Sequence, residues 1–172
     1  MSFNLIKNMA DKNKLPNCLL LYGNEEYFID YSIKYIKYKY IDKNYEDMNY
    51  AEFEKPASLK DYFEFAYTFP FMSEKKLCVI KEAGFFTSTG SLDKKEEDRL
   101  LNFIDENETC ISIFVIKDGK PDSRKKIIKK LKDNKAVFEF NRLTEGELTK
   151  YITDEFKKNN FKISMSDANY MA

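Results

Sequence analysis

The apolar positions along the chain change period several times, and each change marks an element. Cys18-Leu19-Leu20-Leu21-Tyr22 is a short unbroken apolar run ending at Gly23, the pattern of a strand buried on both faces. From about Glu25 to Tyr40 the period becomes helical. Ile29, Ile33, Ile36 and Tyr40 share one face, while Phe28, Tyr31, Tyr35 and Tyr38 form a second stripe, so both faces can be covered. A second strand is predicted around Met48 to Phe53. A helix capped by Ser58 follows, with Leu59, Tyr62, Phe63 and Ala66 on its apolar side. Phe69-Pro70-Phe71-Met72 interrupts the pattern. Leu77 to Ile80 reads as the third strand, Ala83 to Leu92 as a loop, Lys94 to Asn107 as a charged helix and Ile111 to Ile116 as the fourth strand. Asp122 or Ser123 opens a very basic helix whose apolar side is Ile127, Ile128 and Leu131, and Ala136 to Phe140 is the fifth strand. Five short strands alternating with helices predict an α/β fold, a parallel five-stranded sheet flanked by helices.

After Phe140 the strand pattern stops. Thr144 and Glu147 form a capping box, and Leu143 with Leu148 can make the hydrophobic staple beside it. Leu148, Tyr151, Ile152 and Phe156 line one face of a helix, and Ser164 or Ser166 starts another that has made barely two turns at Ala172. The expectation is a first domain over 1–141 and the beginning of a second, helical domain over 142–172, with the chain a fragment cut inside it.

Composition then narrows the chemistry. Apolar residues make up 43% of the 172, enough for a core. The 29 basic and 29 acidic residues balance, so the chain lacks the overall basic excess of a dedicated nucleic-acid-binding domain. The balance is uneven, however: Lys117 to Lys135 holds nine basic and three acidic residues. No run approaches the roughly 20 apolar residues that span a bilayer, and Met1 to Leu15 is polar and charged rather than signal-like. A soluble, cytoplasmic protein with no membrane contact is expected. The absence of histidine excludes histidine bases and histidine-ligated metals. Cys18, Cys78 and Cys110 each lie in or beside an apolar run and form no C-x-x-C pair, so they read as core thiols and no metal is expected.

Gly23 stands where a P-loop would begin, between a first strand and a helix. That loop needs a second glycine five residues on, then Lys and Ser or Thr, to wrap phosphates in backbone N–H groups, neutralise them and hold magnesium. Here Phe28, Ile29 and Asp30 fill those positions: a bulky side chain, an uncharged one and a repelling carboxylate. The third strand runs into Lys81-Glu82, where an ATPase of this architecture carries its metal carboxylate, and Asp118 is a lone acid after the fourth. An ordinary strand-to-helix turn accounts for Gly23 equally well. No catalytic constellation and no cofactor are expected.

Four blocks carry a family resemblance. Leu20 through Phe28 resembles the opening strand and turn of bacterial DNA polymerase III delta subunits, the clamp-loader deltas. Phe69-Pro70-Phe71-Met72-Ser73-Glu74-Lys75-Lys76 with Leu77 to Lys81 is similar to that family's Pro-Phe, basic, apolar-strand block. Asp122-Ser123-Arg124-Lys125-Lys126 with Lys129-Lys130-Leu131 resembles its basic helix start, and Phe140 through Leu143 with Glu147-Leu148 and Tyr151-Ile152 resembles the start of its helical lid. The resemblance implies an AAA+-like first domain with a degenerate P-loop, the beginning of a lid, and an absent collar domain. It also implies a subunit that hydrolyses no ATP but binds and helps open the ring-shaped beta sliding clamp, partnered by ATPase and delta-prime type subunits and meeting DNA indirectly or weakly. The family's clamp contact, an apolar pair just before the third strand, maps to Pro70 and Phe71, with Phe69 and Met72 beside them. Some family members carry Leu-Phe where this chain has Pro70-Phe71. Phe71 is the favoured anchor, while the residues alone leave open that Phe69 and Phe71 pack beneath the sheet.

Two other functions stay open on the sequence. One is a degenerate nucleotide-binding domain still working on a phosphorylated ligand. The other is a nucleic-acid-binding module using the basic helix over 123–133, where Arg124, Lys125, Lys126 and Lys129 are the candidate phosphate contacts and a solvated helix face is the plain alternative.

Overall fold

The computed structural model describes residues 2–54 and 58–172, and the chain divides between Phe140 and Asn141 into two units. In the first, β1 (Cys18–Gly23), β2 (Tyr50–Phe53), β3 (Lys76–Ile80), β4 (Cys110–Ile116) and β5 (Val137–Phe140) form one all-parallel sheet in the order β2-β3-β4-β1-β5. The chain leaves β1 for the far edge, returns through β3 and β4 to β1's side, then crosses it to β5. Register is tight: Leu20 lies opposite Phe114 of β4 and Val137 of β5. Parallel strands need crossovers, and helices supply them. α1 (Ser2–Asp11) precedes β1, and the crossover helices are α2 (Glu26–Tyr40), the single turn α3 (Glu46–Asn49), α4 (Lys60–Ala66), α5 (Lys94–Glu106) and α6 (Lys126–Asp133).

Alternating side chains of the strands sort the core. Cys18, Leu20, Cys78, Ile80, Phe114 and Ile116 join Leu59, Tyr62 and Phe63 of the α4 region, Leu100 and Phe103 of α5, and Ile127, Ile128 and Leu131 of α6 in one buried cluster. Burying each large aliphatic or aromatic side chain contributes about 1.5–3 kcal/mol. The one phenol in this cluster is satisfied: the Tyr62 hydroxyl donates to Ser112 Oγ at 3.0 Å, both groups buried. The three cysteines are free and buried, as the sequence implies.

Several sequence expectations shift. The polar lead is a helix, because Phe3, Ile6 and Ala10 recur at helical spacing and are buried. It covers part of the second stripe of α2, with the Phe3 ring 4.7 Å from that of Tyr31, while Tyr38 stays exposed. Met48 and Asn49 belong to α3 rather than to β2. Ser58 does not occupy the cap of α4. Leu59 does, and its N–H is taken by Glu96 Oε1 from α5 at 2.6 Å. Neither Asp122 nor Ser123 opens the basic helix, which starts at Lys126. The Asp122 carboxylate instead accepts from the Arg124 N–H and guanidinium, closing a turn before it. Within Ala83 to Leu92 a 3-10 turn, Gly84–Phe86, buries Phe86.

The second unit holds α7 (Glu145–Lys158) and α8 (Met165–Met171), which pack together. The Thr144–Glu147 capping box is formed, and Ser164, not Ser166, caps α8. Among the described residues no helix is long and apolar enough to cross a membrane.

Candidate functional site

The segment joining α4 to β3 is short of regular structure but rich in fixed contacts. Where α4 ends, the Thr68 hydroxyl donates to the Phe65 carbonyl at 2.8 Å. The ammonium of Lys76, a buried residue at the start of β3, donates to the same carbonyl at 3.1 Å and to Thr68 Oγ1. It also stands 3.7 Å over the Phe65 ring. A cation at a helix C-terminus meets the unpaired carbonyls and the negative end of the dipole, which compensates for a burial that pushes the Lys76 pKa down. Arg99 of α5 lies over the rings of Phe63 and Tyr67, 4.2 and 4.9 Å from their centres.

The middle of the segment is held by Asn49, fully buried at the end of α3. Its Oδ1 accepts from the Phe71 N–H at 2.8 Å, and its Nδ2 donates to the Phe71 carbonyl at 2.8 Å and to Ser73 Oγ at 3.1 Å. Met72 follows with φ of +50°, in the left-handed region. The backbone is thus pinned while the side chains point out: Phe69 is 86% exposed, Met72 71% and Phe71 47%, with Pro70 half-buried. Phe69 and Phe71 therefore do not pack beneath the sheet. Phe71 leans edge-on against Tyr45, ring centres 5.6 Å apart. Beside this loop runs a groove of 440 Å³ between Tyr38 to Asp42 and Met72 to Lys75. An exposed aromatic cluster on a rigid backbone is suited to filling an apolar pocket on another molecule.

At the opposite, C-terminal edge of the sheet the nucleotide positions are filled differently. Gly23 has φ of +131°, and the Glu25 N–H that follows donates to the Phe140 carbonyl at 3.1 Å. Phe28 and Ile29 are buried in the core and Asp30 is exposed. Lys81 is tied to Glu52 at 2.5 Å and Glu54 at 3.4 Å, and Lys117 pairs with Glu82 at 3.8 Å. Asp118 lines a cavity of only 160 Å³ with that last pair. Among the described residues no group of three or more His, Cys, Asp or Glu is placed to hold a metal ion.

The basic segment is partly spent inside the molecule. Arg124 Nη2 meets Asp122 at 2.8 Å and, by that hydrogen-bonded pairing, holds the Asp122 carboxyl well below the usual range. Lys125 donates to the Gly90 carbonyl at 2.8 Å, Lys130 pairs with Asp105, and Lys132 donates to Ser123 Oγ at 2.7 Å. Lys126 and Lys129 are exposed. Sequence reading missed Asn49, Tyr45 and Lys76 as parts of the loop's support. Only Lys76 left a signal, a lysine directly against an apolar strand.

The family model of the DNA polymerase III delta subunit matches residues 19–141. This chain belongs to the DNA polymerase III delta subunit family. It is 26% identical over 176 residues to the DNA polymerase III subunit delta of Bacillus subtilis, covering 99% of this chain and 50% of that protein. The solved structure of the Bacillus subtilis DNA clamp loader delta protein matches with a TM-score of 0.78 and 25% identity, over 99% of this chain and 51% of that one. A DNA polymerase III gamma subunit-related protein of Thermotoga maritima matches with a TM-score of 0.52 and 11% identity, over 99% of this chain and 58% of that one, and shares the fold alone. The chain spans about half the length of the two Bacillus relatives. In this member of the delta family the matched span takes in the sheet from Leu19 onward, the turn at Gly23, the exposed aromatic loop and the basic segment.

Proposed function

We propose that this chain serves as a clamp-loader delta subunit. It binds the beta sliding clamp through the loop before β3 and helps to open it, with Phe71 as the anchor and Phe69, Pro70 and Met72 around it. The observation that carries this reading is the exposure of three large apolar side chains, Phe69, Phe71 and Met72, on a backbone fixed by buried Asn49 and Lys76. Aromatic side chains dominate binding energy when they enter desolvated pockets, and a pre-ordered loop loses little entropy on docking.

The role is non-catalytic. The positions of a P-loop are occupied by Phe28, Ile29 and Asp30, two of them in the core, so ATP would be handled by the ATPase-type partner subunits, with a delta-prime type subunit as a further partner. Opening then follows from differential affinity: a binder shifts a closed ring toward an open one only as far as it binds the open form more tightly. Residues 1–141 make the AAA+-like clamp-binding domain, and 142–172 begin a helical lid. DNA contact is indirect or weak, because Arg124 and Lys125 are engaged within the chain. The setting is the cytoplasm, where the replication machinery works. Titration of the sliding clamp of the same organism with this chain, followed by calorimetry, tests the reading. Saturable binding is expected, and no heat at any ratio would remove its main support.

A further inference from the structure

We propose that Asn49 is a positioning residue. It fixes the conformation in which Phe71 is presented and so sets the affinity of the apolar loop without touching the partner. This rests on the clamp-binding reading of that loop. The Asn49 carboxamide meets the Phe71 residue as a neighbouring strand would, accepting from its N–H and donating to its carbonyl, both at 2.8 Å. Its Nδ2 also reaches Ser73 Oγ at 3.1 Å, so the contacts bracket Met72, whose φ of +50° is disfavoured for a residue with a Cβ. Such a conformation persists only where its surroundings over-determine it. Asn49 is the kind of side chain that can do this, because it offers a donor and an acceptor at one reach and is wholly buried. Aspartate would keep the acceptor alone, and alanine would keep neither.

The functional consequence is pre-organisation. Ordering one free loop residue on binding lowers affinity about fivefold to thirtyfold, and Asn49 has already ordered Phe71. The test is a double-mutant cycle on the 172-residue chain, read as clamp binding by calorimetry. Asn49→Ala alone is expected to weaken binding about tenfold, and to change it less than about twofold in the Phe71→Ala background, because it acts through Phe71. An equal loss in both backgrounds would overturn the proposal, since a general loss of structure moves both alike. Asn49→Asp, which keeps the acceptor for the Phe71 N–H, is expected to fall between wild type and Asn49→Ala, and binding no better than Asn49→Ala would count against it. Amide hydrogen exchange supplies a reading that needs no variant: the Phe71 N–H of the unsubstituted chain exchanges far more slowly than that of Phe69. Equal rates would mean that the contact is not formed and would also overturn the proposal. Failure of the clamp reading looks different, because the unsubstituted chain then does not bind at all, and both fall together.

Discussion

A Cβ added to Gly23 would sit 2.7 Å from the carbonyl carbon of Phe140 and closer still to its oxygen. The glycine that begins the would-be P-loop is therefore required by the close approach of β1's end to β5, reinforced by its φ of +131°. Gly23→Ala is expected to destabilise the first unit by more than about 2 kcal/mol, measured by urea unfolding, because both the overlap and the backbone angle must be relieved. Millimolar ATP with magnesium is expected to leave the melting temperature of the unsubstituted chain unchanged. A rise would show a nucleotide site that binds the native state and would favour the degenerate nucleotide-binding reading.

Lys76 joins the start of β3 to the end of α4, the two anchors between which the aromatic loop is strung. Lys76→Met keeps most of the packing volume but removes the ammonium's contacts with the Phe65 carbonyl and Thr68 Oγ1, leaving that carbonyl to the Thr68 hydroxyl and neighbouring backbone N–H groups. A loss of about 1.5–3 kcal/mol is expected in denaturant unfolding, the usual size of a lost hydrogen bond from a charged group. An unchanged midpoint would mean that the desolvation of the ammonium cancels its contacts.

The buried thiols make stability depend on alkaline pH. Burial pushes Cys110 up from 9.0 to about 11, raises Cys18 and Cys78 as well, and lifts the Tyr62 phenol well above its ordinary value. In the unfolded chain these groups release protons first, so above the unfolded thiol value the native state holds more protons than the unfolded one. Stability is then complete below about pH 9 and falls as pH rises toward the folded values. Lys76, whose pKa burial lowers, works in the opposite sense but is one group against four. The urea midpoint is expected to be flat from about pH 7 to 8 and to decline above 9, with a shallower decline in Cys78→Ala. A midpoint that holds to about pH 10 would contradict this.

How much of this was legible depended on whether a signal was local. β1, β3 and β4 are buried on both faces, so their unbroken apolar runs announced them. The Thr144–Glu147 box lies within four residues and was equally plain. α1 was obscured because Phe3, Ile6 and Ala10 are spread thinly among Lys, Asn and Asp. Asp122 resembled a helix cap because an aspartate that closes a turn has the same local chemistry. At the candidate site, the aromatic residues were visible but their direction was not, since the residues alone allowed Phe69 and Phe71 to lie beneath the sheet. Asn49 was invisible: its contact with Phe71 spans 22 residues and depends on β2 lying beside β3.

The measurement closest to the proposed function is calorimetric binding of the sliding clamp from the same organism to the unsubstituted chain and to Phe71→Ala, with the amide protection of β3 confirming that the variant is folded. Phe71→Ala is expected to weaken binding by about 2 kcal/mol or more, as truncation of a central aromatic anchor does. Binding by Phe71→Ala as tight as that of the unsubstituted chain would contradict the assignment of the anchor, and no binding by either chain would contradict the clamp-binding function itself.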